Sequence, residues 1–151
     1  MVKNQSHRPR LFLLPAILIL LSGCNESPDP QSAPADLRIN GSEFKISDDP
    51  SIKAVLAASE QIYTRSCSAD ATLSRLESNE WVNLGPFWYA TCDGPIVAIP
   101  LKPGEFQEYP PLTPKSMNMV PGTYRFEAYV YLDSTLHESV QLTSHSFDLI
   151  Q

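Results

Sequence analysis

The chain has 151 residues, with 17 acidic and 11 basic side chains, a net charge of −6 and an isoelectric point near 4.9. That length suits one domain with a core of its own. An acidic chain lacks the positive surface by which proteins bind nucleic acid or anionic bilayers, so neither is expected as an electrostatic partner.

Residues 1–23 have the layout of an export signal. Lys3, Arg8 and Arg10 form a basic region, and the apolar stretch 11–21 follows it. A transmembrane helix needs about 20 apolar residues, so this stretch is too short to span a bilayer. It fits the apolar region of a signal peptide, and the small residues before Cys24 fit a cleavage site.

The four residues Leu21-Ser22-Gly23-Cys24 resemble the lipobox of bacterial lipoproteins. The resemblance implies that the Cys24 thiol receives a diacylglycerol and that cleavage leaves Cys24 as a lipidated N-terminus. Several acyl chains, palmitate among them, would then anchor the protein more firmly than one chain can. Asn25 follows, which by analogy with enteric sorting favours the outer membrane. An ordinary signal peptide with an incidental cysteine is the alternative.

Residues 24–36 are predicted to be a lipid-anchored flexible linker. The stretch 25–36 has three prolines and neither an aromatic nor a β-branched residue. Such a composition cannot bury a core and suits an extended tether. All 17 acidic residues follow Cys24 but only 8 of the 11 basic ones do, so the net charge beyond it is −9. Apolar and aromatic residues return over 37–151, which is predicted to be a single domain.

Closely spaced prolines exclude long helices from this domain and favour short strands. Strands are predicted over 73–77, 81–84, 96–101, 124–132 and 140–150, with a hairpin turn at 78–80 and another hairpin joining the last two strands. Trp81 is expected in the core. On 124–132 the apolar residues alternate, so one face is predicted as core; its members are Tyr124, Phe126, Ala128, Val130 and Leu132.

Two further positions carry structural expectations. Tyr124 opens its strand directly after the turn Pro121-Gly122, which predicts a tyrosine corner whose hydroxyl bonds to nearby backbone. Segment 52–62 is ambiguous from its own residues. Asp49-Pro50 could start a helix there, and Ile52, Val55, Leu56, Ser59 and Ile62 fall near a helical period. The resemblance described next favours a strand instead.

A series of motifs resembles a family of bacterial immunoglobulin-like domains found in secreted and lipid-anchored proteins. In chain order they are Tyr63-x-x-x-Cys67, Leu76-Glu77, Glu80-Trp81-Val82, Cys92, Leu101-x-Pro103-Gly104-Glu105, Pro121-Gly122-Thr123-Tyr124-Arg125 and Ser144-x-Ser146-Phe147. The resemblance covers residues 52–150. It implies a single immunoglobulin-like β-sandwich of roughly seven strands, and it brings no catalytic residues and no agreed function.

Cys67 and Cys92 are the cysteines left after lipidation of Cys24. Export would place them in an oxidising compartment, where an even pair is predicted to form one disulfide. A metal site with His137 or His145 is a weaker alternative, because neither cysteine has a second ligand close in sequence. A nucleophilic cysteine is weaker still, and surface positions are expected for both histidines.

Motifs for catalysis, phosphate binding or zinc binding are missing from the sequence, so neither an enzyme nor a cofactor or metal site is expected. The carboxylate pairs Asp48-Asp49 and Glu105 with Glu108 are read as solvated turns. The aromatic run Phe87-Trp88-Tyr89 follows Gly85-Pro86 and forms a possible binding loop. The competing interpretation folds this loop over the end of the sandwich.

Two function hypotheses remain. The first is a non-enzymatic binding or structural module, anchored in the bacterial cell envelope through the lipid on Cys24, with an envelope protein as a possible partner. The second is an envelope peptidase inhibitor that presents an exposed 87–89 loop to a protease cleft.

Overall fold

The computed structural model describes residues 33–66, 70–86 and 94–151. Apart from one short 3₁₀ helix, Ile46–Asp48, the regular structure in these ranges is β. The strands are β1 Ala35–Ile39, β2 Glu43–Lys45, β3 Ala54–Ala58, β4 Ile62–Arg65, β5 Ala71–Glu77, β6 Glu80–Pro86, β7 Ala98–Leu101, β8 Phe106–Glu108, β9 Gly122–Tyr131, β10 Ser139–Thr143 and β11 Phe147–Ile150. The predicted all-β class is confirmed.

Two sheets pack face to face into the predicted β-sandwich. The smaller sheet has the order β1-β3-β8. In the larger sheet β9 is central: β10 and β11 pair with one of its edges, and β5 and β4 pair with the other. β6 extends this sheet beyond β5, β7 extends it beyond β4, and β2 runs parallel to β11. The buried core that the described residues form lies within residues 35–149, inside the compact unit Ser32–Gln151.

One antiparallel strand pair runs through both sheets. In the smaller sheet Ala57 of β3 lies opposite Phe106 of β8, and in the larger sheet Ile62 of β4 lies opposite Leu101 of β7. The two ladders therefore share a single register. Ala58 continues the pairing between the two ladders, since its N–H donates to the carbonyl of Glu105 at 3.0 Å. This continuous pair ties the two sheets together along their common edge.

The buried face of β9 is the one that the alternation predicts. Tyr124, Phe126, Ala128 and Val130 all lie in the core. Leu132 does not, because β9 ends at Tyr131 and the leucine side chain is 38% exposed. Phe147 of β11 packs in the same layer and stacks against the rings of two of these residues, Tyr124 at 5.8 Å and Phe126 at 5.6 Å.

Segment 52–62 is extended, which resolves the ambiguity in favour of strand. The residues buried there are Ile52, Ala54, Leu56, Ala58 and Ile62, and all of them fall on the same period of two. Ile52 forms a bridge with Leu112, and β3 and β4 follow. Asp49 does not start an α-helix over 52–62. It has the left-handed conformation that ends the 3₁₀ helix, and its Oδ1 accepts the N–H of Lys115 at 3.3 Å.

The hairpin β5–β6 forms where the sequence predicts it. Ser78 and Asn79 make its two-residue turn with φ of 49° and 71°. Positive φ at both central residues is the type I′ geometry, whose twist matches that of the flanking strands. Because side chains alternate along this hairpin, Trp81 and Asn83 point to one side of the larger sheet while Val82 and Leu84 point to the other.

The last predicted strand, 140–150, is interrupted. Thr143 lies opposite Glu127, and Phe147 lies opposite Tyr124. Four steps on this strand therefore match three on β9, which is the one-residue excess of a β-bulge. Ser144 fills the irregularity, because its Oγ accepts the N–H of Phe126 at 3.0 Å.

Candidate interaction surfaces

Six residues singled out from the sequence lie outside the described residues: Cys24, Cys67, Cys92, Phe87, Trp88 and Tyr89. Lipidation, the disulfide and the aromatic binding loop therefore stay predictions. The described residue next to Cys67 is informative, however. The N–H of Ser66 donates to the carbonyl of Val97 at 2.8 Å, and the N–H of Val97 donates to Ser66 Oγ at 2.8 Å. Positions one residue before Cys67 and five residues after Cys92 are thus in contact.

The tyrosine corner is present. The Tyr124 hydroxyl donates to the carbonyl of Val120 at 2.7 Å, and its ring is buried in the core. This bond fixes the chain that leads into β9. Tyr124 is therefore a structural residue, as predicted.

A buried carboxylate organises the outer face of the larger sheet. Glu127 of β9 points away from the core, yet the residue is only 6% exposed. Its Oε1 accepts hydrogen bonds from Ser74 Oγ at 2.9 Å and from Arg125 Nε and Nη2 at 2.9 and 2.7 Å. Its Oε2 accepts one from Gln141 Nε2 at 3.0 Å. Bonds to a charged acceptor are stronger than neutral ones, so these three side chains are held in one arrangement.

Arg125 links this carboxylate to an aromatic ring. Its guanidinium carbon lies 4.2 Å from the centroid of the Trp81 ring, within the range of a cation–π contact. The expectation that Trp81 belongs to the core is wrong: the residue is half-buried and packs on the outer face of the sheet. Arg125 accounts for the difference, since it gives the indole a partner outside the core.

The same outer face carries further exposed groups. Tyr129 is 41% exposed and lies opposite Gln141. Leu76 is partly exposed beside Trp81. Asn83 is fixed as well, because its amide donates to Thr72 Oγ1 at 3.1 Å. We call this surface, defined by Trp81, Leu76, Arg125, Glu127, Gln141 and Tyr129, the outer face.

A pocket of about 250 Å³ lies on the opposite side of the β5–β6 hairpin. Leu73 and Tyr124 are its buried apolar residues. The turn before β9 forms another wall with Met117, Asn118 and Met119. The only charged group among the lining residues that the structure describes is Arg75, whose Nη2 lies 2.7 Å from Glu77 Oε1.

The turn between β9 and β10 is closed by Asp133. Its carboxylate accepts hydrogen bonds from the Thr135 hydroxyl and from the backbone N–H groups of Thr135, His137 and Glu138. These bonds, with that of the Thr135 hydroxyl foremost, hold the pKa of Asp133 at about 2. His137 and His145 are exposed as predicted, and they lie apart: His137 contacts Thr135, and His145 approaches the carbonyl of Gly41.

A second cation–π contact lies at the end of β9. Arg65 lies 5.5 Å from the centroid of the Tyr131 ring and 3.2 Å from Asp70 Oδ1. Burial, and next the nearby Asp70 carboxylate, raise the pKa of the Tyr131 hydroxyl. Within 33–66, 70–86 and 94–151 no group of three or more histidine, cysteine, aspartate or glutamate side chains could hold a metal ion. Nor does any helix in those ranges have the length and hydropathy to cross a membrane.

The outer face was not singled out from the sequence. Its signal is present in the alternation of β9, which places Arg125, Glu127 and Tyr129 together on the side away from the core. Alternation along β9 does not show which strands lie beside it. Trp81 and Ser74 reach this face only because β5 pairs with β9, and β6 pairs with β5, in the observed register.

Comparison with known proteins yields no match to a family model, to a curated protein or to a solved structure. The immunoglobulin-like family assignment therefore stays a prediction that is carried by the sequence motifs alone.

Proposed function

We propose that this protein is a lipid-anchored, non-enzymatic binding module of the bacterial cell envelope, and that it binds an envelope protein through its outer face. The anchor rests on the sequence, with its lipobox-like stretch at Cys24 and the proline-containing linker behind it. The binding face rests on the geometry of the larger sheet. The two parts of the proposal are tested separately.

One observation carries the binding role: Arg125 is fixed between the Trp81 ring at 4.2 Å and the Glu127 carboxylate at 2.7 Å. Tryptophan, tyrosine and arginine are the residues that most often dominate the binding energy of protein interfaces. Side chains that are already ordered lose little conformational freedom on association. Trp81 and Arg125 combine both properties, and the exposed Tyr129 lies on the same surface.

The experiment is capture of partners from envelope extracts with immobilised residues 25–151, followed by measurement of the affinity for the captured protein. Trp81→Ala and Tyr129→Ala remove the two aromatic side chains of the outer face. Phe106→Ala is the matched control, because this aromatic residue is 66% exposed but lies on β8 of the smaller sheet. We expect Trp81→Ala to weaken binding at least about tenfold and Phe106→Ala to leave it unchanged.

A partner whose affinity falls with Phe106→Ala but not with the outer-face variants would overturn the choice of surface. Circular dichroism of each variant separates loss of binding from loss of fold. The anchor has its own readout: the wild-type chain should incorporate labelled palmitate and fractionate with membranes, and Cys24→Ala should do neither. The peptidase-inhibitor alternative depends on residues 87–89, which lie outside the described residues, and it stays a prediction.

A further inference from the structure

The pocket beside the β5–β6 hairpin has a structural origin in the edge position of β6. Within the described part of the chain, β6 pairs only with β5. Its side chains that point to the core side of the sheet, Val82 and Leu84, are 40% and 49% exposed. Large apolar side chains on the core side of a sandwich are ordinarily covered. Here Leu84 lines an open pocket with the buried Leu73 and Tyr124 beneath it.

The facing wall of the pocket is anchored at both of its ends. At one end Pro114 is buried, and its carbonyl accepts the N–H of Met119 at 2.9 Å. At the other end the carbonyl of Val120 accepts the Tyr124 hydroxyl at 2.7 Å. Asn118 has a φ of 50°, which bends the chain between these ends. The wall is therefore ordered without a ligand, so little conformational entropy is lost when a ligand binds.

Methionine dominates this wall. Met117 and Met119 both line the pocket, and the unbranched, polarisable methionine side chain adapts to apolar ligands of varied shape. The volume of about 250 Å³ falls below the roughly 300–1,000 Å³ of pockets that hold drug-sized ligands. The occupant is therefore small, with the size of a short acyl chain or one amino-acid residue.

The positive charge of Arg75 favours apolar ligands that also carry a negative group. Arg75 lines the pocket, and an arginine guanidinium offers five N–H donors in a planar fork matched to a carboxylate. One of its nitrogens bonds to Glu77, but both side chains of that pair are about one-third exposed. Ion pairs at this exposure are weak and exchange readily, so the guanidinium can bond to a second carboxylate. The Asn118 amide is a further polar group in the lining.

We propose that this pocket binds a small apolar group that carries a carboxylate, with the apolar part against Leu84, Met117 and Met119 and the carboxylate on Arg75. The chemistry is shared by the end of a fatty acid and by the C-terminal residue of a polypeptide. The site goes beyond the proposed function, since it lies on the opposite side of the hairpin from the outer face, and either can fail without the other.

The chain contains three methionines, and the third is Met1 in the predicted signal peptide. Residues 25–151 labelled at methionine methyl groups therefore give an NMR spectrum with two signals, both from the pocket. The probes are octanoate and its uncharged counterpart 1-octanol. We expect octanoate to shift both signals saturably and to bind about tenfold more tightly than 1-octanol.

Arg75→Gln should raise the Kd of octanoate about tenfold and leave that of 1-octanol unchanged. Lys102→Gln is the matched control, because it removes one positive charge from the exposed bend between β7 and β8 and should change neither value. A tripeptide ending in a free leucine carboxylate, compared with its amide, forms the second arm. Tighter binding of the peptide acid than of octanoate identifies a polypeptide C-terminus as the source, and the reverse identifies an acyl chain.

The absence of a saturable shift with both octanoate and the peptide acid would overturn the proposal. So would equal affinities for charged and uncharged probes that Arg75→Gln does not alter, since the arginine would then have no part in recognition. Unchanged methyl chemical shifts in unliganded Arg75→Gln confirm that the variant keeps the pocket intact.

Discussion

Ser66 and Val97 exchange two hydrogen bonds of 2.8 Å at the end of the β4–β7 pair. In sequence, Ser66 directly precedes Cys67 and Val97 lies five residues after Cys92, and these two cysteines are predicted to form a disulfide. We expect the oxidised, exported protein to contain no free thiol. Closing a loop of 25 residues stabilises the folded state by about 3.5 kcal/mol in the chain-entropy model.

The measurement is thiol titration under denaturing conditions, with thermal melts of wild type and of the double variant Cys67→Ser, Cys92→Ser. The double variant should melt at a markedly lower temperature. Two titratable thiols in protein purified from the periplasm without reductant would refute the bridge.

Glu127→Ala should destabilise the domain by about 2–3 kcal/mol. The substitution removes the acceptor of Ser74, Arg125 and Gln141 together and leaves the buried Ser74 hydroxyl without its partner. The free energy of unfolding from urea titration measures the effect. Glu108→Ala, at an exposed position on β8, is the control and should change stability by less than about 0.5 kcal/mol. Equal effects of the two substitutions would show that the Glu127 network contributes nothing beyond an ordinary surface charge.

The Asp133 carboxyl should titrate at about 2, well below its ordinary value of 3.8. Because the folded-state pKa is lowered, its stabilising effect is complete above the ordinary value and is lost as the pH falls from about 4 to about 2. Carboxyl-carbon NMR between pH 1.5 and 6 follows this titration. Thr135→Val removes the side-chain donor and should raise the pKa, whereas Thr143→Val on β10 should leave it unchanged. A midpoint near 3.8 in the wild type would contradict the hydrogen bonds assigned to this turn.

The start of the domain provides a further test. β1 begins at Ala35, two residues before the boundary predicted from composition. The carbonyl of Pro34 accepts the N–H groups of Ser59 and Glu60, both at 3.0 Å, and that of Ala33 accepts Ser59 Oγ at 2.8 Å. Residues 37–151 should therefore be less stable than residues 33–151 by about 2 kcal/mol and should melt roughly 5–10 °C lower. Identical melting temperatures would show that these contacts carry no stability.

The sequence predicted those parts of the fold that local patterns control. Alternation identified the core face of β9, and the turn predicted over 78–80 identified the β5–β6 hairpin. Segment 52–62 was harder, because Ala54 and Ala58 are small and their burial weakens the visible period of two. The bulge at Ser144 depends on its hydrogen bond to Phe126, which exists only after β9 and β10 have paired.

The candidate sites were predictable only in part, for the same reason. The outer face joins residues from four strands, and only the register brings Trp81 to Arg125. The pocket forms where the core side of β6 extends beyond the residues that cover the rest of the sheet. No local sequence pattern shows where that cover ends. Leu132 shows a different limit, which is the length of the strand. The alternation predicts that Leu132 is buried, but β9 ends one residue before it.

The strand pair that crosses both sheets has a consequence for how fast this protein folds. Its contacts span 31 residues between Ser66 and Val97 but 60 between Ile52 and Leu112. Closing long loops slows folding, so a pair of this kind forms most readily from its short-loop end and then zips outward. A Cys67–Cys92 bridge would close that end in the unfolded chain. We therefore expect the oxidised protein to refold faster than the reduced one, which stopped-flow fluorescence of the two forms would measure. Oxidation immediately after export would then favour the native pairing of these strands.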